Sequence, residues 1–125
     1  MANAIITAAA KAAMAGTWAG SGSIPAITRM AFGDGGVDAG GSPIPPSASA
    51  TALNNELLRQ NLDSCVASGG VLTATCTLGA GTLAGEEISE LGLVDANGGM
   101  VAIKTFTKKG KDADSSQTYT VTLTF

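Results

Sequence analysis

The most regular hydrophobic pattern lies at the end of the chain, where apolar residues and threonines alternate over residues 118–125. Strict alternation predicts a β-strand with one face on the core and the other in solvent. We therefore expect this strand to be half-buried. The predicted core face carries Tyr119, Val121, Leu123 and Phe125.

Two hairpins are predicted upstream, each from a pair of apolar segments joined by a glycine-rich turn. The first joins residues 62–67 to 71–78 through Ser-Gly-Gly, and the second joins 88–94 to 100–107 through Asp-Ala-Asn-Gly-Gly. Asn-Gly is a strong hairpin signal because both residues tolerate a positive φ. The second half of the chain is therefore predicted to be mostly antiparallel β-structure.

The first half begins with a predicted helix. Thr7 is a good N-cap because its hydroxyl can accept a backbone N–H, and the alanine-rich residues 8–15 favour a helix that Gly16 ends. A strand is expected to follow, starting after Pro25 and reaching Phe32.

A second, short helix is predicted from Ser49 or Thr51 to Arg59. Either residue can cap this helix, in which Glu56 and Arg59 would share one face at i, i+3.

Two segments are predicted to be loops. Residues 33–48 combine Gly-Asp-Gly-Gly with three prolines, and loops of this length in compact domains are usually functional or disordered. We expect this loop to line or wrap a surface. Residues 108–116 are charged and predict a solvated excursion.

These elements together predict an α+β fold for one domain over residues 1–125. It is expected to be a small, mostly antiparallel, β-sandwich-like domain of five or six strands with an N-terminal helix and a second short helix. The long Gly/Pro loop at 33–48 lies within it.

Composition makes the expected core thin. Ala, Gly, Thr and Ser account for 63 of the 125 residues, whereas Leu, Ile, Val and Phe number only 26. Chains with so few bulky side chains lie near the edge of what folds alone. We therefore expect contacts with other chains to contribute to stability.

Charge and residue types exclude several functions. The net charge of −3 provides no general attraction for nucleic acid, and the absence of histidine removes Ser-His-Asp and Cys-His catalysis and the usual zinc sites. No apolar run approaches the ~20 residues that span a bilayer. Neither a nucleic acid nor a membrane is an expected partner, and no metal or cofactor is predicted.

The Gly33-Asp-Gly-Gly element fits neither a phosphate loop nor a calcium loop, because the lysine or the oxygen ligands of those motifs are missing. A structural turn in which Asp34 accepts backbone N–H groups is the better interpretation. The carboxylates of Glu86, Glu87 and Glu90 are expected to be solvated or paired at an interface rather than catalytic.

Cys65 and Cys76 lie on the two arms of the first hairpin. A two-residue Gly-Gly loop would place Ser68 opposite Val71 and Cys65 opposite Ala74, making the cysteines diagonal neighbours. Diagonal Cβ atoms are ~7 Å apart, too far for an unstrained disulfide. We predict two reduced, buried thiols.

Four stretches carry a family resemblance: Ile-Thr-Ala-Ala-Ala-Lys-Ala-Ala at 6–13, Ile-Thr-Arg-Met-Ala-Phe-Gly-Asp-Gly-Gly at 27–36, Ala-Leu-Asn-Asn-Glu-Leu-Leu-Arg at 52–59, and Glu-Ile-Ser-Glu-Leu-Gly-Leu-Val-Asp-Ala-Asn-Gly at 87–98. In this order they resemble the N-terminal, baseplate-attachment domain of phage tail-collar or tail-fibre proteins from contractile-tailed phages. The second and fourth stretches are the specific ones.

The resemblance implies a structural virion protein that attaches or forms the tail fibre or collar at the baseplate, without enzymatic activity. It implies a homotrimer, baseplate and tail-fibre proteins as partners, and a place in the virion after assembly in the host cytoplasm. Since the family's domain precedes a long fibre, the end of this chain at Phe125 leads us to expect an adaptor without a receptor-binding tip. The partner-binding residues that it suggests are Phe32, Gly33, Asp34, Gly35, Gly36, Glu56 and Arg59.

Two other functions stay open at this point. A carbohydrate-binding β-domain for host-surface recognition would stack a sugar on Trp18 or Tyr119, although packing of Trp18 over the thin core is the simpler expectation. A carboxylate-based hydrolase would use Glu86, Glu87 or Glu90.

Overall fold

The computed structural model describes residues 4–125, in which one α-helix and eight strands are present. The helix, α1, spans Ala8–Trp18. The strands are β1 (Ile5–Ile6), β2 (Ile27–Gly33), β3 (Glu56–Asn61), β4 (Ser64–Ser68), β5 (Val71–Leu78), β6 (Glu87–Asp95), β7 (Met100–Gly110) and β8 (Gln117–Thr124).

The strands form two antiparallel sheets. The larger sheet has the order β1-β7-β6-β2-β3 and the smaller one the order β4-β5-β8. The expected α+β class with two helices is therefore wrong: the protein is mostly β, with a single short helix in the described residues.

The predicted second helix is a strand. Residues 56–61 pair with β2, placing Gln60 opposite Met30 and Leu58 opposite Phe32. Local spacing favoured a helix, but pairing with the open edge of β2 satisfies the backbone groups and half-buries Leu58 against the core. Tertiary pairing thus overrode a weak local preference.

The main core lies between the two sheets. Phe32 of β2 and Tyr119 of β8 meet with ring centroids 5.1 Å apart in an edge-to-face arrangement. The alternation of β8 is confirmed, because Tyr119, Val121 and Leu123 are buried while the threonines between them are exposed. The predicted place of Phe125 on the core face is wrong, because Phe125 lies beyond the end of the strand and is exposed.

A second, smaller core lies on the other face of the larger sheet. It contains the buried side chains of Ala31, Leu53, Val94, Met100 and Ile103. Leu53 belongs to residues 34–55, which we call the covering segment. The predicted loop therefore wraps a surface as expected, but it runs to residue 55.

Hydrogen bonds tie the covering segment down along its length. Its Ile44 carbonyl accepts from the hydroxyl of Thr105 on β7 at 2.8 Å, and its Ala48 carbonyl accepts from the Ala8 amide of α1 at 2.7 Å. Val37 and Pro43 form an isolated antiparallel bridge. The irregular covering segment thus forms a second layer on the outer face of the larger sheet.

The N-terminal helix begins as predicted and ends later. Thr7 Oγ1 accepts the Ala10 amide at 3.2 Å and donates to the Met100 carbonyl at 2.8 Å, so the cap also anchors the helix to β7. The helix continues through Gly16 to Trp18, whose side chain is 92 % exposed. The expectation that Trp18 packs on the core is wrong. No helix within residues 4–125 is long and apolar enough to cross a bilayer.

The register of the first hairpin is confirmed, with Ser68 opposite Val71 and Cys65 opposite Ala74. Both cysteines are free. Cys76 is buried, and burial raises the pKa of its thiol. Cys65 is exposed on the edge strand β4, so its predicted burial is wrong.

The charged segment is less of a loop than predicted. Strand β7 extends to Gly110, and Lys111 is only 2 % exposed. Its Nζ donates to the carbonyls of Asp112 at 2.8 Å and Ser115 at 2.5 Å, which satisfies a charge that would otherwise be costly to bury. The exposed turn is thus confined to residues 112–116.

Candidate functional site

The buried carboxylate of Glu90 organises the region that carries the predicted site residues. Glu90 is 1 % exposed. Its Oε1 accepts the Asn54 amide at 2.8 Å, and its Oε2 accepts the amides of Gly35 at 2.9 Å and Asn55 at 2.8 Å. Hydrogen bonds to a charged acceptor are stronger than neutral ones, so one side chain fixes both ends of the covering segment.

An irregularity in β6 directs two neighbouring side chains to the same place. The register with β7 shifts between Ile88 and Glu90, and Ile88 and Leu91 both belong to the main core although they are three residues apart. Ser89 and Glu90 consequently both reach the covering segment, where Ser89 Oγ accepts the Gly36 amide at 2.9 Å. A bulge is the usual device for re-aiming a strand side chain in this way.

The glycines of the Gly-Asp-Gly-Gly element are required by close packing against these groups. A Cβ on Gly33 would lie 2.4 Å from the Asn55 carbonyl oxygen, one on Gly35 would lie 2.8 Å from the Asn54 Cβ, and one on Gly36 would lie 2.1 Å from the Ser89 carbonyl oxygen. Real Cβ atoms do not approach that closely. The expected close backbone approach is thus made to this same chain.

Asp34 does not accept backbone N–H groups, contrary to the sequence interpretation. Its Oδ1 accepts from the side-chain amide of Asn55 at 2.5 Å. The carboxylate with the predicted role is that of Glu90, which was expected to be solvated or at an interface. That expectation for Glu90 is wrong because the strand irregularity turns its side chain inward.

Glu56 and Arg59 form an ion pair within the chain. Arg59 Nη2 lies 2.9 Å from Glu56 Oε1, and Arg59 Nε donates to Glu56 Oε2 at 3.0 Å. The hydrogen bond that Arg59 donates to the Glu56 carboxylate raises the pKa of Arg59. On a regular strand such residues would face opposite sides, but the register shift opposite Phe32 and Gly33 inserts one extra residue and brings them together.

The structure separates the predicted partner-binding residues into a buried and an accessible group. Phe32, Gly33 and Gly36 are buried and shape the site from inside, whereas Gly35 is half-buried. Sequence reasoning did not identify Asn54, Asn55 and Glu90 as residues of this site. The Asn-Asn pair after Leu53 was the one available signal, because asparagine favours turns. We call the accessible group the loop-end patch; it consists of Asp34, Asn54, Asn55, Glu56 and Arg59.

The geometry does not favour Glu90 as a catalytic group or Tyr119 as a sugar-stacking residue. The Glu90 carboxylate is occupied by backbone donors, and among the described residues no three His, Cys, Asp or Glu side chains are placed to hold a metal ion. Tyr119 is 7 % exposed, its hydroxyl donates to Gln117, and Lys109 Nζ lies 5.8 Å from its ring centroid. A sugar would have to displace Lys109 to stack there.

Replacing Glu90 tests the role of its carboxylate. In Glu90→Gln an amide NH₂ must face a backbone N–H, which removes one hydrogen bond and leaves a buried donor unpaired. We expect the free energy of unfolding to fall by about 2–3 kcal/mol. Urea denaturation measures this change, with Glu87→Gln on the exposed end of the same strand as the control. Equal stability of the two variants would contradict the role assigned to Glu90.

Replacing Gly36 tests the close packing. Gly36→Ala places a methyl group against the Ser89 carbonyl, and we expect a loss of about 2 kcal/mol or more in the free energy of unfolding. Gly79→Ala is the matched control, since a Cβ there meets nothing within 4 Å. The control should change stability by less than about 0.5 kcal/mol. A tolerated Gly36→Ala would show that the segment has room to move.

Comparison with known protein families identifies the family of this chain. The family model for the N-terminal part of phage tail-collar fibre proteins matches residues 1–125, the whole length of the sequence. No curated protein matched the chain. The Gly-Asp-Gly-Gly element and the segment that carries Glu90 both lie in the matched region. The chain therefore belongs to the phage tail-collar fibre protein N-terminal family and is a structural component of a phage tail.

Proposed function

We propose that this chain attaches the tail fibre or collar to the baseplate and that it docks through the loop-end patch. The observation that supports this proposal is a polar surface held rigid from inside by Glu90, whose carboxylate binds both ends of the covering segment. A preorganised surface loses little conformational entropy when it binds.

The chemistry of the patch favours a polar, charged partner. Glu56 and Arg59 are about a quarter to a third exposed at their side chains, and their ion pair leaves further carboxylate and guanidinium positions open to an outside group. Asp34 and Asn55 add a second polar pair. Complementary charges across an interface mainly determine specificity and register. The patch is thus suited to recognising one baseplate or fibre protein.

We further propose that the chain assembles as a homotrimer through an apolar groove at the end of the domain that carries α1. The groove has a volume of about 480 Å³ and is lined by α1, Ile24, Leu72, Met100 and Phe125, among others. Ile24 is 47 % exposed and Phe125 60 % exposed. Contiguous apolar surface of this kind marks interaction sites, and the small alanine side chains of α1 permit close approach.

The attachment proposal is tested by exchanging the patch charges in phage particles that carry this chain. Glu56→Arg combined with Arg59→Glu keeps an intrachain pair but reverses the order of its charges. We expect the folded stability to be retained and fibre attachment to be lost, as counted by electron microscopy. Lys11→Glu on the exposed face of α1 is the control. Normal fibre numbers in the double variant would refute docking through the patch, and absence of the chain from purified particles would refute attachment itself.

The trimer proposal is tested by the native mass of the purified chain. We expect three copies for the wild type and a shift towards one copy for Ile24→Asp combined with Phe125→Asp, because burial of a carboxylate in an apolar interface is costly. Val66→Asp is the control, since Val66 is also 60 % exposed but lies on β4. A wild-type monomer over the accessible concentration range would contradict the proposal.

A further inference from the structure

The largest side chain of this sequence is left in solvent. Trp18, the single tryptophan of a chain with three Phe and one Tyr, ends α1 and is 92 % exposed. Residues 19–23, which follow it, are Ala, Gly and Ser and are all exposed, so its ring stands out from a surface of small groups. Trp18 belongs to neither hydrophobic core. The stability of the single chain therefore does not explain a tryptophan at this position.

An exposed tryptophan is typical of an interface. Tryptophan offers ~150–250 Å² of surface for burial and is one of the residues that most often dominate the binding energy between proteins. Isolated exposed apolar residues of smaller size are common on any protein surface. Since this chain has few bulky side chains, we expect the ring of Trp18 to be buried by another molecule.

The groove beside α1, already proposed as the interface between copies, has room for such a ring. Its volume is about 480 Å³, within the ~300–1,000 Å³ of pockets that bind small molecules. The helix contributes Ala9, Ala10, Ala13 and Met14 to its lining, and the three alanines leave the groove wide. Trp18 is not among the lining residues, so the ring of the same chain does not fill the groove.

The polar chemistry of the groove also matches an indole. Among the described residues that line it, Asp95 is the only charged one. Asp95 Oδ1 accepts the amides of Asn97 at 2.9 Å and Gly99 at 2.8 Å. An ionised carboxylate has about four acceptor positions, so others remain for an outside donor. An indole combines an apolar body with one N–H, and that N–H usually finds an acceptor when it is buried.

We propose that the groove beside α1 binds Trp18 of a second copy of this chain and that the indole N–H donates to the Asp95 carboxylate of the receiving copy. Each copy supplies one ring and one groove, both carried by α1. Head-to-tail contacts of this kind close into a ring of copies when the rotation between neighbours permits it. This inference rests on the proposed homotrimer and names the residue that occupies its interface.

Trp18 fluorescence measures the contact directly, because the chain has no other tryptophan. We expect the assembled wild type to emit at shorter wavelength than the urea-unfolded chain and to be protected from acrylamide quenching, since the ring has left water. A ring that serves to stack a sugar, or to dock on a different protein, would keep solvent-exposed emission in the assembled chain. Such emission would overturn the proposal.

Substitutions on α1 test the groove and the ring separately. Ala13→Glu places a carboxylate in the groove, and Ala12→Glu is the matched control because Ala12 is exposed on the same helix but does not line the groove. We expect Trp18→Ala and Ala13→Glu each to weaken association about thirtyfold and Ala12→Glu to leave it unchanged. Circular dichroism checks that each variant is folded. Equal association of the Ala13→Glu and Ala12→Glu variants, or wild-type association of Trp18→Ala, would overturn the proposal.

The conservative variant Trp18→Phe tests the hydrogen bond to Asp95. It keeps an aromatic ring but has no N–H, so we expect association to weaken by about tenfold, less than in Trp18→Ala. Association as strong as that of the wild type would overturn the assigned hydrogen bond.

Mixing two defective variants tests the head-to-tail arrangement. Trp18→Ala has an intact groove and no tryptophan, whereas Ala13→Glu has the ring and a blocked groove. We expect the emission of the Ala13→Glu variant to move to shorter wavelength when the Trp18→Ala variant is added, because one intact groove then receives one intact ring. A chain with both substitutions should cause no change. The absence of a shift with the single variant would overturn the proposal.

The native mass distinguishes this inference from the homotrimer on which it rests. Three copies with solvent-exposed Trp18 emission would overturn the Trp18 contact and leave the trimer in place. Two copies with a protected Trp18 would refute the trimer and retain the contact. A single copy at every concentration would overturn both.

Discussion

The three backbone hydrogen bonds accepted by Glu90 are the constraint on which much of this structure depends. The carboxylate lies on the face of the larger sheet opposite the main core, where another chain of this size would place a second layer of regular structure. Here residues 34–55 form that layer and bury Leu53 against Ile103 and its neighbours. An irregular segment stays packed only if its backbone groups are satisfied, and Glu90 satisfies those at both ends.

The same interaction connects composition with function. A sequence rich in glycine and alanine has few bulky side chains, but it allows backbone to approach backbone, as Gly36 does at Ser89. Close approach replaces part of the stability that large side chains would provide, and it also makes the outer surface rigid. The loop-end patch is held in place by buried groups, such as the Glu90 carboxylate, that do not contact solvent or a binding partner.

The two surfaces proposed for partners use different chemistry. The loop-end patch offers side-chain charges on a fixed segment, whereas the groove beside α1 offers apolar surface. One gives charge-dependent specificity, and the other gives affinity through the burial of apolar surface.

The sequence alone determined the elements whose signals are local. The alanine-rich helix after Thr7, the Gly-Gly and Asn-Gly hairpins and the alternation of β8 depend on neighbours in the chain, and the motif order identified the family. The tertiary structure decided what depends on distant groups. Residues 56–61 became a strand because the edge of β2 was available, and Glu90 turned inward where the pairing of β6 with β7 is irregular. Residues that meet only after folding leave no periodic pattern in the sequence. For this reason the sequence predicted the loop at residues 33–48 but not the role of Glu90 in holding it.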